Sequence, residues 1–205
     1  MKLFKKDKYP KHLVEQDLTF GKQVIVFVWE IFKVVVISLA IIIPVRYFLI
    51  KPFYVKGASM EPNFHDYEYL IIDEITYRLN EPQRGDVVVF KYPFATREYF
   101  IKRIIALPDE RIEISNGKIH IYNKDNPEGI VLEEKYLPLG TITPGQIDVI
   151  LSPSEYYLLG DNRPSSLDSR AFGPLERKYI VGRTLLRGWP LSRFGLLAGE
   201  IEYNL

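Results

Sequence analysis

Residues 57–62 read Gly-Ala-Ser-Met-Glu-Pro, and residues 99–105 read Tyr-Phe-Ile-Lys-Arg-Ile-Ile. The first stretch places Ser59 between a glycine-containing strand end and a proline turn, and the second places Lys102 inside an apolar strand. A serine becomes a nucleophile when a nearby base takes its proton, and a desolvated lysine with a lowered pKa can be that base. The commoner role of a strand lysine is a solvated edge residue, so the pair alone does not establish catalysis.

The composition of the chain excludes several classes of site. Its 205 residues suffice for a membrane segment and one domain with its own core. Lys and Arg number 27 against 26 Asp and Glu, so no electrostatic nucleic-acid surface is indicated. Cysteine is absent, which excludes disulfides, thiolate metal sites and a cysteine nucleophile. The three histidines lack metal-ligand spacing, and we expect neither a metal nor a cofactor.

A long apolar segment precedes both stretches. Residues 24–50 are mostly apolar and are interrupted only by Glu30, Lys33 and Arg46. A bilayer-spanning helix needs about 20 such residues. Glu30 and Lys33 are three positions apart and therefore share a helix face, where they can pair. Pro44 is expected to kink or end the helix. The segment predicts a membrane-spanning helix.

We place the predicted transmembrane anchor at residues 23–50. The alternatives are a buried core helix and a cleaved signal peptide, but no Ala-X-Ala-like site follows Ile50, as a cleaved peptide would require. Lysines are concentrated in residues 1–22, so the positive-inside rule favours a basic cytoplasmic tail there. Residues 51–205 would then form a domain outside the cytoplasmic membrane.

The sequence beyond the anchor predicts an all-β domain. Short runs rich in β-branched and aromatic residues alternate with turn signals. Ser115-Asn-Gly117 between two such runs indicates a hairpin. Residues 73–80 are expected to form one or two helical turns, and the loop-rich segment 122–152 a small secondary lobe. The predicted strands are 67–72, 86–90, 100–105, 111–114, 118–122, 155–159 and 179–185.

Four stretches, in the same order along the chain, resemble the sequence boxes of bacterial type I signal peptidases. They cover most of residues 51–185 and follow a single N-terminal anchor. The resemblance implies a domain of coiled antiparallel β-sheets. It also implies a serine endopeptidase that cuts signal peptides from exported preproteins after an Ala-X-Ala pattern. The four stretches are the nucleophile box at 57–62, a strand box at 84–90, a lysine box at 99–108 and the distinctive box at 160–170.

The resemblance assigns the catalytic roles. It implies that Ser59 attacks the scissile carbonyl and that Lys102 is the general base. Ser166 would hydrogen-bond the lysine, and Asp168 and Arg170 would form a structural ion pair that braces the site. The remaining polar residues of that box, at 161 and 162, are interpreted as local caps of a polar turn.

The oxyanion hole and the groove are also implied. The Ser59 backbone N–H is one oxyanion donor, and Gly57 stands where some relatives carry a second, hydroxyl donor. Strand alternation would put residues 53, 55, 57 and 59 on one face, so a hydroxyl at 57 would lie beside Ser59. Plain core packing is the alternative for each groove residue. The implied lining is Phe53, Val55, Met60, Phe64, Phe100 and Ile101.

Two positions depart from the family pattern. Asn63 follows Pro62, where threonine is usual, and the lysine box ends in Ala-Leu-Pro-Asp109 instead of carrying flanking glycines. A turn with proline at its second position often needs positive φ at the next residue, which aspartate tolerates better than most residues. We therefore expect the turn at Asp109 to be kept.

Two other functions stay open at this point. One is a self-cleaving SOS repressor, which uses a similar dyad, although the anchor and the lack of a DNA-binding N-terminal domain speak against it. The other is an inactive membrane-anchored binding protein on the same fold. The expected partners are preprotein signal peptides, the lipid bilayer and, as a further candidate, the protein-export translocon, with no nucleic acid.

Overall fold

The computed structural model describes residues 20–44, 50–197 and 203–204. The chain separates into two compact units, residues 1–44 and 45–205. Most of the predicted basic tail, residues 1–19, lies outside the described residues.

The described part of the first unit is one helix, α1 (Phe20–Pro44), whose apolar side chains are exposed. Among the described residues it alone is long and apolar enough to cross a bilayer, over Phe20–Ile43. Glu30 and Lys33 pair at 2.7 Å, as predicted from their spacing. The helix ends at Pro44, also as predicted. The predicted anchor extended to Ile50, but Ile50 already begins a strand, and residues 45–49 lie outside the described part.

The second unit is mainly antiparallel β-structure, as predicted. Its described residues form twelve strands and two short α-helices. The strands are β1 (Ile50–Tyr54), β2 (Tyr69–Asp73), β3 (Val87–Tyr92), β4 (Ala95–Ala106), β5 (Arg111–Ser115), β6 (Lys118–Tyr122), β7 (Ile130–Val131), β8 (Ile147–Ile150), β9 (Glu155–Leu159), β10 (Leu175–Glu176), β11 (Ile180–Trp189) and β12 (Gly195–Leu196). The helices are α2 (Thr76–Leu79) and α3 (Ser169–Phe172).

These strands build two sheets. The larger has the order β1-β2-β11-β3-β4-β9-β10, with β12 added on β11. The smaller has the order β7-β6-β5-β8. The loop-rich segment 122–152 thus contributes β7 and β8 to one sheet with the β5–β6 hairpin.

Strand β4 is the central element of the domain. It spans 12 residues, twice the predicted length of 100–105, because its first half pairs only with β3 while its second half also pairs with β9. The fully buried Ile104 and Ile105 point to opposite faces and belong to two different core clusters. A strand with apolar cores on both sides reads as a continuous apolar run, and the sequence shows such a run only at the end of β4, residues 104–106.

Two predicted turns are confirmed by their backbone angles. Asn116 and Gly117 have φ of 51° and 78°, the pair of positive values that a two-residue hairpin loop requires. Asp109 has φ of 64°, and Glu110 N–H donates to the Leu107 carbonyl at 3.3 Å, so the turn that closes the lysine box is kept without glycine.

Candidate active site

A turn after β1 carries Ser59, which corrects the predicted strand. The strand ends at Tyr54, and residues 57–64 form bends and turns. Gly57 has φ of +93°, which breaks the two-residue alternation, so residue 57 does not share a strand face with Ser59. The Gly57 N–H donates to Asp66 Oδ1 at 2.9 Å, which fixes this conformation. A side chain at 57 would be strained, and the expectation that a hydroxyl fits there is wrong.

Strand β4 carries the lysine to this turn. Lys102 is 3% exposed, and its Nζ lies 2.7 Å from Ser59 Oγ and 2.7 Å from the Ile101 carbonyl oxygen. The Phe100 ring lies 5.6 Å from the same nitrogen. The two residues that the sequence singled out are therefore in direct contact, 43 positions apart along the chain.

The electrostatic environment favours an uncharged amine. Burial lowers the pKa of Lys102 from 10.5 to about 8, although the carboxylates of Asp168 and Asp161 raise it. Each carboxylate is paired with an arginine, Asp161 with Arg103 and Asp168 with Arg170. The two ion pairs reduce the attraction that either carboxylate exerts on a lysine proton.

The predicted ion pair of the distinctive box is formed. Arg170 donates from Nη2 and Nε to the Asp168 carboxylate, at 2.7 and 2.8 Å. The Gly160 N–H also donates to it at 3.0 Å. Burial alone would raise the pKa of the fully buried Asp168, but these hydrogen bonds hold it below its usual range. Asp168 additionally caps α3 by accepting from the Arg170 N–H.

The predicted hydrogen bond from Ser166 to Lys102 is not formed in this structure. The lysine nitrogen is directed at Ser59 and Ile101, and Ser166 Oγ is buried without a partner. The Ser166 hydroxyl helps to lower the pKa of Asp168, although its geometry to that carboxylate falls short of a hydrogen bond. Its predicted role in catalysis stays a prediction.

Gly160 permits the close approach of the distinctive box to the nucleophile turn. A Cβ atom at this position would lie 2.1 Å from Ser166 Oγ and 2.5 Å from the Ser59 carbonyl oxygen. No side chain fits in that space, so glycine is required for the distinctive box to pack against the nucleophile turn.

The structure gives Asp161 and Asn162 more than the local capping that we predicted. Asp161 is 2% exposed and accepts hydrogen bonds from Arg103 at 2.7 and 2.9 Å and from Asn63 Nδ2 at 2.8 Å. Asn162 donates from its backbone to the Ser59 carbonyl at 3.1 Å and from its amide to the Ala58 carbonyl at 3.0 Å. Both residues therefore hold the nucleophile turn. Arg103 was the signal that sequence reasoning missed, because an arginine in a buried strand needs a carboxylate partner.

An apolar groove of about 560 Å³ lies beside the dyad. Of the six predicted lining residues, Phe53, Val55, Phe100 and Ile101 contribute to its wall. Met60 and Phe64 do not: Met60 is 1% exposed and packs in a core cluster, and Phe64 lines a different, polar cavity. The further lining residues are Tyr54, Lys56, Leu70, Val89, Glu98, Tyr99 and Leu167.

The missed lining residues follow from pairings that the sequence does not reveal. Phe53 near the end of β1 contacts Tyr99 near the middle of β4, with ring centroids 5.4 Å apart. Leu70 and Val89 come from strands whose place in the sheet depends on long-range order. The groove is consequently a long-range feature, and its floor is part of the domain core.

Comparison with known families identifies the chain. Residues 28–189 match the family described as signal peptidase, peptidase S26. The chain belongs to the signal peptidase family. It is therefore a serine endopeptidase of the signal peptidase I type.

Relatives with this name come from several bacteria. A probable signal peptidase I-2 of Synechocystis is 35% identical over 181 residues, which cover 84% of this chain and 78% of the relative. Signal peptidase I of Leptolyngbya laminosa is 33% identical, covering 83% of this chain and 84% of the relative. A crystal structure of a signal peptidase I from Enterococcus faecalis V583 is 27% identical, covers 51% of this chain and 97% of that one, and gives a TM-score of 0.42.

We predict that Gly57→Ala weakens both the domain and its activity. A left-handed backbone costs an ordinary residue about 1–2 kcal/mol, and relaxation of that strain would move Ser59. The melting temperature of the full chain and the rate of cleavage of an Ala-X-Ala reporter peptide should both fall.

Gly195→Ala is the matched control for this prediction. A Cβ atom at Gly195 meets nothing within 4 Å, and Gly195 is not among the glycines with positive φ. This variant should melt and cleave like the wild type. Unchanged melting and cleavage in Gly57→Ala would contradict a strained turn.

Proposed function

We propose that this protein is a membrane-anchored endopeptidase that removes signal peptides from exported preproteins by a Ser59–Lys102 dyad. The observation that carries the proposal is the 2.7 Å contact between Ser59 Oγ and Nζ of a lysine that is 3% exposed. Such a lysine can lose its proton near neutral pH and then accept one from the serine. Chemistry and family membership thus agree on one reaction.

The first half of the reaction forms an acyl-enzyme. Neutral Lys102 takes the hydroxyl proton while Ser59 Oγ attacks the scissile carbonyl carbon, which gives a tetrahedral oxyanion. The Ser59 N–H donates to no acceptor within the described residues, so it is available to the oxyanion. As the C–N bond breaks, the lysine ammonium gives its proton to the departing amine, the new N-terminus of the mature protein.

The second half repeats these steps with water. Lys102, neutral again, takes a proton from a water molecule whose oxygen attacks the acyl carbon. The ester bond to Ser59 breaks, and the lysine returns the proton to the serine oxygen. The products are the enzyme in its starting state and the free signal peptide, whose new carboxyl group releases its remaining proton to solvent. One group thus serves as base and acid in alternation.

The groove supports selection of small side chains by steric exclusion. Its floor consists of Leu70 and Val89, which are 1% and 3% exposed and belong to the core, and therefore cannot move aside at low cost. A shallow apolar site with a fixed floor accepts alanine and excludes larger residues. We attribute an Ala-X-Ala preference to this fixed apolar floor.

The apolar helix supports anchoring in the cytoplasmic membrane, with the lipid bilayer as a partner. We propose the domain organisation of a cytoplasmic tail at 1–22, an anchor at 23–50 and an extracytoplasmic peptidase domain at 51–205. Preproteins emerging from the export translocon would then meet the dyad on the outer side. An inactive binding protein would have no need of a buried lysine in contact with a serine, and the contact therefore favours the enzyme.

The orientation predicts that a reporter enzyme fused after Leu205 is exported. Protease added to intact spheroplasts should degrade the domain at 51–205. A fusion after residue 22 should stay protected, and it is the internal control. Protection of the C-terminal domain would contradict the orientation and the access to exported preproteins.

The dyad predicts that Ser59→Ala and Lys102→Ala each abolish cleavage of an Ala-X-Ala peptide while the domain stays folded. Because the two residues act as one unit, the double variant should lose little more than either single variant. Turnover should be compared in purified full-length protein. Residual turnover in Ser59→Ala, with contaminating protease excluded, would show that another group attacks the carbonyl.

The lowered pKa predicts a basic limb in the pH profile. A lysine must be neutral to act as a base, so kcat/KM should rise about tenfold per pH unit below pH 8 and level off above it. Lys102→Arg should be inactive at every pH, because arginine stays protonated. A wild-type profile that is flat between pH 6 and 9 would contradict the assignment.

A stability measurement tests the same pKa without substrate. Between about 8 and 10.5 the unfolded chain holds a proton on Lys102 that the folded chain has released, so the stability contribution of this residue rises with pH. Relative to Lys102→Met, the wild type should therefore gain roughly 3 kcal/mol of unfolding free energy across this window. A difference that does not change with pH would show an unperturbed lysine.

A further inference from the structure

A second cavity of the domain is polar and rich in arginine. Its volume is about 790 Å³, which exceeds that of the substrate groove. Among the described residues that line it, Asp86 is the one carboxylate, and this carboxylate already accepts from the Tyr77 hydroxyl at 2.5 Å and the Gln83 N–H at 2.9 Å. The arginines of this pocket are Arg84, Arg103, Arg183, Arg187 and Arg193.

Two of these arginines share a single carboxylate. Arg187 Nε lies 2.7 Å from one oxygen of Glu68, and Arg193 Nη1 lies 2.6 Å from the other. Glu68 carries one negative charge against two positive ones, so the trio has a surplus of one positive charge. Burial lowers the pKa of Arg187, and the charge of Arg193 lowers it further, as expected where cations are crowded.

A third arginine, Arg183, has no carboxylate within hydrogen-bond distance among the described residues. The nearest carboxylate to Arg183 is that of Asp73 at 3.6 Å, and Arg183 Nε is buried without a hydrogen bond. The Asp73 carboxylate is already occupied, because it accepts from the backbone N–H groups of Ile75 and Thr76 and from the Thr76 hydroxyl. Arg183 is therefore paired with Asp73 by charge alone, without a hydrogen bond, and adds a further guanidinium group to the same cavity.

We propose that the pocket of Arg183, Arg187 and Arg193 binds a phosphate-bearing anion. Guanidinium groups present paired N–H donors whose spacing matches the oxygens of phosphate. An anion would neutralise the surplus charge of the Glu68 trio and contact the Arg183 side chain, which is 32% exposed and lines the cavity. The source is either free phosphate or the phosphodiester of an anionic lipid headgroup.

The pocket also contacts the segment that follows the nucleophile. Arg187 Nη2 and Arg193 Nη2 donate to the Asn63 carbonyl at 2.6 and 3.1 Å, and Asn63 Nδ2 donates to Asp161. An anion bound to Arg187 and Arg193 would therefore contact the same side chains that hold residues 60–64 in place. Binding itself does not depend on the proposed peptidase reaction and is measured without substrate.

The test is calorimetric titration of the full chain in maltoside micelles, which contain no phosphate. With chloride keeping the ionic strength constant, we expect inorganic phosphate to bind saturably with a Kd of about 1 mM. R183Q should weaken the Kd about tenfold, the loss of one charge-assisted contact. R97Q removes an equal charge from an exposed position on β4 outside this pocket and should bind like the wild type.

R193Q gives a second measurement at a partly exposed member of the pocket and should also weaken binding, provided that its melting temperature shows a folded domain.

Glycerophosphoglycerol, a water-soluble lipid headgroup, distinguishes the two sources. Tighter binding than inorganic phosphate assigns the pocket to lipid, and weaker binding assigns it to free phosphate. Absence of saturable binding of either anion, or equal loss in R183Q and R97Q, would overturn the proposal.

Discussion

Burial of the Lys102 amine is the constraint on which the rest of the site depends. An ammonium group that is 3% exposed loses most of its hydration, so the folded domain favours the neutral amine. Two buried carboxylates nearby raise the pKa of Lys102, and they would raise it further if they had no cationic partner. Asp161 and Asp168 are instead each held by an arginine fork, and the four charges form two neutralised units. The site thus needs both ion pairs in order to keep a lysine base.

The distinctive box joins two separate parts of the chain and also braces itself internally. Through Asn162 it holds the nucleophile turn, through Asp161 it holds Arg103 of β4, and through Asp168 it caps α3 and binds the Gly160 N–H. Because this segment is short and polar, its local sequence pattern predicts only a turn. Removing one member of a buried pair leaves the other charge unpaired, which is strongly destabilising. The residues of this box therefore determine both the geometry of the nucleophile turn and the pKa of Lys102.

The sequence predicted the long apolar helix, the β class, the hairpin at Asn116 and the contact between Ser59 and Lys102. These features depend on periodicity, on turn residues or on motifs with a family resemblance. It failed where backbone angles and long-range packing decide, as at the left-handed Gly57 and at Met60, which packs in a core cluster. An alternating pattern cannot show where a strand ends, and an apolar residue in a motif does not reveal whether it faces a groove or a core. Both depend on strands that are distant in sequence.

Strand β4 explains why a lysine and an arginine stand side by side. Consecutive residues point to opposite faces, so Lys102 lines the apolar groove while Arg103 lines the arginine pocket. Both are buried, but they respond differently. Lysine loses its proton under desolvation, whereas arginine keeps its charge and must be given a carboxylate, here Asp161. Exchanging the two residues would put a permanent charge beside Ser59 and a weakly paired amine beside Asp161, so the order of these two residues fixes which face of the strand can carry out base catalysis.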